Sequence, residues 1–288
     1  MSSHRPVPLL RFSFAAGACL SLALASTTAA ATEKTAPLWE VGAGVAAFSF
    51  PAYRGSDETR QFVLPVPYFI YRGEFLKADR DGLRARLFES DRVNLTVSAA
   101  LSPPASSDDI AARAGMPDLR ASFEVGPQLD VTLWRTPERD RSLKLLLPLR
   151  TAYTLERSPQ HIGWVFHPKL NLDVGSLPGM PGWNVGLQAG PLFGDQRQHA
   201  YYYGVAPELA TPDRAAYTAR GGYAGMQYLL GVSRRFPSHW VGAFLRYDTL
   251  GGARFADSPL VRDRSYLAAG VAVTWIFGQS ATRVPLDD

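Results

Sequence analysis

From Leu119 to Trp134 the chain alternates between apolar and polar positions. Phe123, Val125, Leu129, Val131 and Leu133 share one face of an extended strand, and Arg120, Ser122, Glu124, Gln128, Asp130 and Thr132 share the other. At ~3.3 Å per residue, this segment exceeds the usual length of a globular strand and is long enough to cross a tilted bilayer.

The same period recurs on either side of it. Trp39, Val41, Ala43, Val45 and Ala47 alternate with Glu40, Gly42, Gly44 and Ala46. Phe62 to Tyr71 predicts a strand although Pro65 and Pro67 each lack a ladder donor and are awkward in a central position. Arg72-Gly73 and Asp79 to Gly82 are hairpin signals that delimit two short segments, Glu74 to Ala78 and Leu83 to Glu89. Val93, Leu95, Val97, Ala99 and Leu101 then alternate with Asn94, Thr96, Ser98 and Ala100.

Farther on, Leu143, Leu145, Leu147, Leu149 and Tyr153 oppose Lys144, Arg150 and Thr154. Trp164, Phe166, Leu170, Leu172 and Val174 oppose His167, Lys169, Asn171 and Asp173, and Trp183, Val185, Leu187 and Phe193 oppose Asn184, Gly186 and Gln188. Gly194 to Arg220 predicts a long irregular segment rich in tyrosine. Gly222 to Phe236, Trp240 to Thr249 and Ser265 to Phe277 supply three closing strands.

Counted this way there are about twelve strands, with ten or fourteen as alternatives, and their connections sort by length. Segments 51–60, 102–118, 157–161, 194–220 and 250–264 fall at one end of the sheet. Brief turns near Gly73, Ser90, Pro137, Pro178 and Pro237 fall at the other, and Asp79 to Gly82 is the one exception. An even strand number with long loops at one end and short turns at the other predicts an all-β, antiparallel transmembrane β-barrel of the bacterial outer membrane. Lipid offers no hydrogen-bond partner to a sheet edge, so such a sheet has to close, with its apolar face outward and its charges inward. The inward set is Arg120, Glu124, Asp130, Lys144, Arg150, His167, Lys169, Asp173, Arg246 and Asp248. These groups are expected to pair across the lumen, because unpaired charges in a narrow interior are costly. Trp39, Tyr71, Trp134, Trp164, Trp183, Trp240, Trp275 and Phe277 lie near strand ends, as interfacial girdles require.

Composition narrows the reading further. After the N-terminus no apolar run is long enough for a transmembrane helix, which excludes a multi-pass helical protein. Residues 1–31 read as a secretory signal: Arg5 and Arg11 supply positive charge, Phe12 to Ala25 is mostly apolar, and Ala29-Ala30-Ala31 offers a cleavage site. The expected organisation is thus a signal peptide at 1–31, a barrel at 32–277 and a C-terminal tail at 278–288. Cys19, the single cysteine, lies inside the leader and is expected to leave with it, since Ala16 stands where a lipoprotein signal has Leu. A mature chain without thiols has no disulfide and no cysteine chemistry. Its formal charge falls from +4 to +2 with the loss of Arg5 and Arg11, too mild and too evenly spread for nucleic acid.

Several short motifs then converge. Gly42-Ala-Gly-Val45, Tyr53-Arg-Gly-Ser-Asp57 leading into Leu64-Pro-Val-Pro-Tyr-Phe69, Tyr202-Tyr-Gly-Val205, and Ala256-Asp-Ser-Pro-Leu-Val261 resemble, in order and spacing, the MipA/OmpV family of outer-membrane proteins. The loop residues carrying the resemblance are Tyr53, Gly55, Ser56, Asp57, Tyr203, Gly204, Val205, Asp257, Ser258 and Pro259. The resemblance implies an outer-membrane barrel whose best-known type is a scaffold bridging a lytic murein transglycosylase to a bifunctional penicillin-binding protein. Other relatives are porins, adhesins or antigens. One departure is the C-terminus: barrels of this kind usually end on an aromatic residue, whereas here Phe277 is followed by Gly278 to Asp288.

Catalytic chemistry has little to build on. His161, His167, His199 and His239 are the candidate bases once His4 has left, but they lack metal-ligand spacing. Asp257-Ser258-Pro259 puts proline directly after the serine, unlike a nucleophile elbow. The expectation is a non-catalytic outer-membrane scaffold without cofactor or metal, surrounded by lipid and lipopolysaccharide and partnered by murein enzymes. A small-solute channel or adhesin is the alternative, and a lipid-modifying enzyme a weaker one.

Overall fold

Alternating segments become strands in a computed structural model of the chain, which describes residues 35–72, 76–79, 82–137, 140–177 and 179–285. The leader with Cys19, the hairpin tips at Gly73 and Arg80-Asp81, and residues 286–288 of the tail lie outside the described residues.

The strands are β1 (Thr35–Pro37), β2 (Trp39–Pro51), β3 (Thr59–Arg72), β4 (Leu76–Asp79), β5 (Gly82–Glu89) and β6 (Val93–Ser102). After them come β7 (Ser122–Arg135), β8 (Arg141–Thr154), β9 (His161–Phe166), β10 (Lys169–Leu177) and β11 (Met180–Gly194). One helix, α1 (Gln196–Tyr203), precedes β12 (Gly222–Arg235), β13 (His239–Thr249), β14 (Ser265–Gln279) and β15 (Arg283–Pro285). Strands β2 to β14 form one large antiparallel sheet in which sequence neighbours pair except β9 and β10, and β14 pairs with β2 from Ala269↔Ser49 to Gln279↔Glu40.

The large sheet has thirteen strands rather than the expected twelve because the segment around His167 divides. Pro168 has no N–H to offer a rung, so β9 stops at Phe166 and β10 starts at Lys169. Both pieces lie between the same neighbours: β8 pairs with β9 and with β10, and so does β11. His167 donates its backbone N–H to the Pro148 carbonyl at 3.2 Å, bridging the break.

Register explains the prolines of β3. Pairing with β2 runs from Pro51↔Thr59 to Trp39↔Tyr71 without a bulge, through Val45↔Pro65 and Ala43↔Pro67. Because proline cannot donate, the rungs to β2 must fall on the even-numbered residues of β3. The missing donors of Pro65 and Pro67 therefore point away from β2.

The two faces differ in a way no soluble sheet tolerates. Val41, Val45, Leu149, Leu170, Leu187, Leu230, Leu245, Val271 and Trp275 all lie on one face and are exposed, whereas Glu40, Asp130, Asn171 and Asp248 on the other are buried. A bulge between Thr132 and Trp134 shifts the end of β7, so Trp134 pairs with Leu143 and joins the apolar face. Trp240, expected in a girdle, lies on the opposite face: it pairs with Thr274, and its ring fills the space above Gly242.

The dry core sits in the connections at one end. Tyr53, Ala105, Ile110, Leu119, Tyr203, Val205, Leu250, Phe255 and Leu260 belong to one buried cluster drawn from four loops. Part of the segment expected to be irregular forms α1, capped by the Asp195 carboxylate accepting the Gln198 N–H at 2.8 Å.

At the other end β1 and β15 pair as a separate ribbon, Thr35↔Pro285 to Pro37↔Arg283. The Arg283 guanidinium donates to the Thr35 carbonyl at 2.7 Å, and the Leu38 N–H donates to the Thr282 carbonyl at 2.9 Å. A chain ending at Gln279 is expected to release Thr35–Pro37 to protease while the large sheet keeps its heat-modifiable migration; unchanged cleavage there would show that the ribbon holds nothing.

Candidate functional site

Four loops with no common element build a cap over one end of the sheet, and each contributes a turn that only its own residues can make. Between β2 and β3, the Ser56 N–H donates to the Tyr53 carbonyl at 3.0 Å and the Ser56 Oγ accepts the Glu58 N–H at 3.2 Å. Gly55 has φ +99, a conformation that side chains disfavour. A Cβ there would also meet Leu250 Cδ1 at 3.0 Å. The Gly55 carbonyl accepts the N–H groups of Arg262 at 2.8 Å and Asp263 at 3.1 Å, tying the first loop to the last.

Tyr203 is the hinge-pin of the cap. Its ring stacks on Phe255 at 3.6 Å, its hydroxyl donates to the Arg54 carbonyl at 2.9 Å, and its carbonyl accepts the Ser258 hydroxyl at 2.8 Å. Ser258 Oγ in turn accepts the Leu260 N–H at 3.2 Å, and Tyr53 donates its hydroxyl to the Leu260 carbonyl. Burial pushes both phenols well above the ordinary tyrosine range, so they stay protonated and keep the hydrogen they donate. Val205 exchanges backbone hydrogen bonds with Tyr217, and Gly204 leaves room that a Cβ would take from the Ala200 carbonyl. Asp57 and Asp257 are exposed at the rim, with Asp257 3.7 Å from Arg264, and Pro259 is half-buried beside Ser258.

Two buried cations pin the remaining loop. Arg113 donates to Ser107 Oγ at 3.3 Å, the Tyr202 carbonyl at 3.1 Å and the Pro117 carbonyl at 3.0 Å. Arg214 donates to the carbonyls of Leu209, Ala112 and Ala114, the shortest at 2.8 Å. Glu58 accepts the Ala111 N–H at 2.8 Å. None of these three residues stood out in the sequence, since an arginine among alanines carries no pattern that marks it as a tie between loops.

The loop motif residues of three separated stretches thus meet in one place. A family model described as MltA-interacting protein MipA matches residues 43–277. The chain belongs to the MipA family. Comparison with curated protein sequences finds no match. Among solved structures, a bacterial polysaccharide outer membrane secretin is similar at 11% identity and TM-score 0.44, covering 83% of this chain and 99% of its own. An outer membrane channel from Pseudomonas putida F1 is similar at 11% identity and TM-score 0.42, over 89% of this chain and 100% of its own. The CymD monoaromatic hydrocarbon channel has 12% identity and TM-score 0.30, over 84% and 89%.

Beneath the cap, this MipA-family chain carries charges on the sheet's polar face. Arg150 Nε donates to Glu124 at 2.9 Å, and its other arm reaches Ser98 Oγ at 3.2 Å. Asp248, fully buried, takes Arg246 at 2.8 Å, Arg54 at 3.1 Å and Gln227 at 3.1 Å. Since Arg54 comes from the first loop, this carboxylate joins cap to sheet. Gln128 donates to Asp130 at 2.7 Å, and Asn171 donates to Asp173 at 2.6 Å. Lys144 and Lys169 are half-buried on the same face, with His167 buried between β9 and β10. Near the short turns, Glu40 accepts from Arg235 at 2.9 Å and from the Tyr68 hydroxyl at 3.1 Å, a cluster that sequence alternation implied only through Glu40.

Arg120 is a correction. It precedes β7 and is exposed, with its backbone N–H donating to the Tyr201 hydroxyl at 2.8 Å; alternation carried one turn too far placed it on the strand. The histidines do not gather either: His161 lies 3.1 Å from Arg197, His239 stacks on Phe236 at 4.5 Å, and His199 packs edge-on against Phe255 at 4.7 Å. Among the described residues no three His, Cys, Asp or Glu side chains are placed to hold a metal.

Phe255→Ala is expected to remove ~3–5 kcal/mol from the cap. Protease should then cut within 195–221 while the sheet stays folded, and uncut loops would show that the core is dispensable. His199 supplies a pH handle. Burial holds its pKa below the usual value, its Nδ1 donates to the Arg220 carbonyl at 2.7 Å, and its buried Nε2 has no partner among the described residues. A base depressed by folding contributes stability that is full above pH ~6.5 and is lost as pH falls toward the folded pKa. Amide protection in α1, corrected for the intrinsic exchange rate, should therefore fall from pH 7.5 to 5.5 in the wild type and much less in His199→Gln.

Proposed function

We propose that this chain is a closed β-barrel of twelve strands in the outer membrane of a Gram-negative bacterium. In that setting it acts as a non-catalytic scaffold for peptidoglycan-remodelling enzymes. Counting β9 and β10 as one interrupted strand gives twelve, and the pairing of β14 with β2 supports a closed ring. What carries the membrane reading is the exposed apolar face: Leu, Val and Trp side chains on nearly every strand point where a soluble protein would place polar groups. Lipid and lipopolysaccharide are the natural surroundings of that face, and a furrow lined by Leu143, Leu172, Leu187 and Leu245 suits acyl chains. Export through a cleaved leader at 1–31 belongs to the same reading.

A scaffold is favoured over an open conduit by the cap and by the charges below it. Burying Phe255, Ile110, Leu250 and Leu260 completely makes opening the cap costly, each side chain contributing roughly 1.5–3 kcal/mol. Arg150 with Glu124, Arg246 and Arg54 with Asp248, and Arg235 with Glu40 occupy the interior with paired charges instead of a selective lining. The family description names an interaction with the transglycosylase MltA. For this chain the corresponding surface is the periplasmic end, formed by the short turns and the β1–β15 ribbon, with a murein transglycosylase and a penicillin-binding protein as the partners.

Affinity capture from envelope extracts is expected to recover a murein transglycosylase, and capture should fall when the ribbon is removed after Gln279. Recovery of no murein hydrolase or synthase would overturn the scaffold. In planar bilayers the wild type should give no steady steps; regular ion-selective steps would favour a channel.

A further inference from the structure

The ring of rungs is uneven. Strand β3 pairs with β4 only at Tyr71 and Arg72, and β6 pairs with β5 only through Asn94, Leu95 and Thr96. Among the described residues, no strand pairs with the far side of β3 from Thr59 to Ile70, or with the facing side of β6 from Val97 to Ser102. The opening is framed above, where Arg60 reaches the Ser106 carbonyl at 3.4 Å and Asp109 at 3.3 Å, and Glu58 holds the Ala111 N–H. Below it stands the short β4–β5 hairpin.

Two features distinguish this opening from a ragged edge. First, the absent donors of Pro65 and Pro67 point into it, so two N–H groups that would be stranded in hydrocarbon do not exist. Second, β3 is apolar on both sides of the wall from Phe62 to Pro67, and the outer face of β6 is apolar too. Outward, Val63 and Leu101 are 72% and 76% exposed; inward, Leu64 is 47% exposed although it shares a face with the lumen residue Tyr68. Behind Leu64 the lumen is lined by Phe62, stacked on Phe50 at 5.2 Å, and by Phe48, 6.3 Å from Phe244. Across the opening β6 offers only Ser98, Ala100 and Ser102 on its inner face.

We propose that this gap is a lateral window through which the alkyl chain of an amphiphile passes between the bilayer and the aromatic sector of the lumen. The proposal rests on the outer-membrane barrel reading. A hydrocarbon chain is the occupant because the window meets apolar side chains on its outer rim, along its β3 edge and in the lumen behind it. A polar solute would have to shed its water to follow that path.

Photo-crosslinking in native membranes tests it, with benzoylphenylalanine placed at Phe62 inside the window, at Gln188 on the inner face far from it, and at Val271 on the outer face. Alkyl-bearing adducts are expected at positions 62 and 271 and not at 188. The adduct mass tells a phospholipid from a free fatty acid, and either supports the window. Adducts at 271 but none at 62 would overturn the window alone, and equal adducts at 62 and 188 would overturn it by showing that chains fill the lumen without regard to the gap. No adduct at 62 or 271 would bring down the membrane reading and the window together. Ala100→Trp, which fills the opening from β6, should cut the adduct at 62 several-fold with heat-modifiable migration retained; an unchanged yield in the folded variant would mean that chains enter by another path.

Discussion

Backbone hydrogen bonding in apolar surroundings is the constraint on which this architecture depends. Every strand that turns leucine, valine and tryptophan outward needs its own N–H and C=O groups met by a neighbouring strand, because nothing beyond the wall can meet them. Sequential antiparallel pairing does this for nearly the whole sheet, and the return of β14 to β2 leaves neither of those strands with an open side. Where a rung is lost, a local device takes its place. Pro168 interrupts a strand, but the His167 N–H finds Pro148; Pro65 and Pro67 sit where their missing donors face no partner.

Turning the apolar side chains outward moves the protein's dry core elsewhere. Among the described residues no second sheet layer receives it, so the buried apolar cluster forms in the loops, where Phe255, Tyr203 and Leu260 pack beneath backbone ties made by Arg113, Arg214 and Gly55. Charge follows the same logic within the sheet. A carboxylate as buried as Asp248 is tolerable because two arginines offset its charge and Arg54 and Gln227 bond its Oδ1, Arg54 arriving from the cap. Cap and interior are thus one electrostatic and packing unit. Loosening Tyr203 would disturb Arg54, and through Arg54 the Asp248 cluster.

Much of the strand pattern was legible in the residues. Alternation located the long strands within a few positions, assigned Glu124, Arg150, Asn171 and Asp173 to one face, and separated long connections from short ones. It faltered where period two is locally broken. Arg120 was carried past the start of β7, and Trp240 turned inward because its register with Thr274 decides its face. Helix α1 went unread although Asp195 and Gly204 bracket it, since three successive tyrosines look irregular when only strand periodicity is being sought.

Sequence alone determined what is local: which side chains share a face, which stretches extend, and where the chain must turn, because a strand's alternation is written in consecutive residues. Tertiary structure decided what is not local. Tyr53 meets Leu260 across 207 residues of chain and Arg214 meets Ala112 across 102, and nothing in either neighbourhood announces the other. The cap, the Asp248 cluster and the unpaired stretch between β3 and β6 all arise from such meetings. Each depends on how the sheet brings distant loops and strands together, which backbone pairing fixes in space and no single stretch of residues encodes.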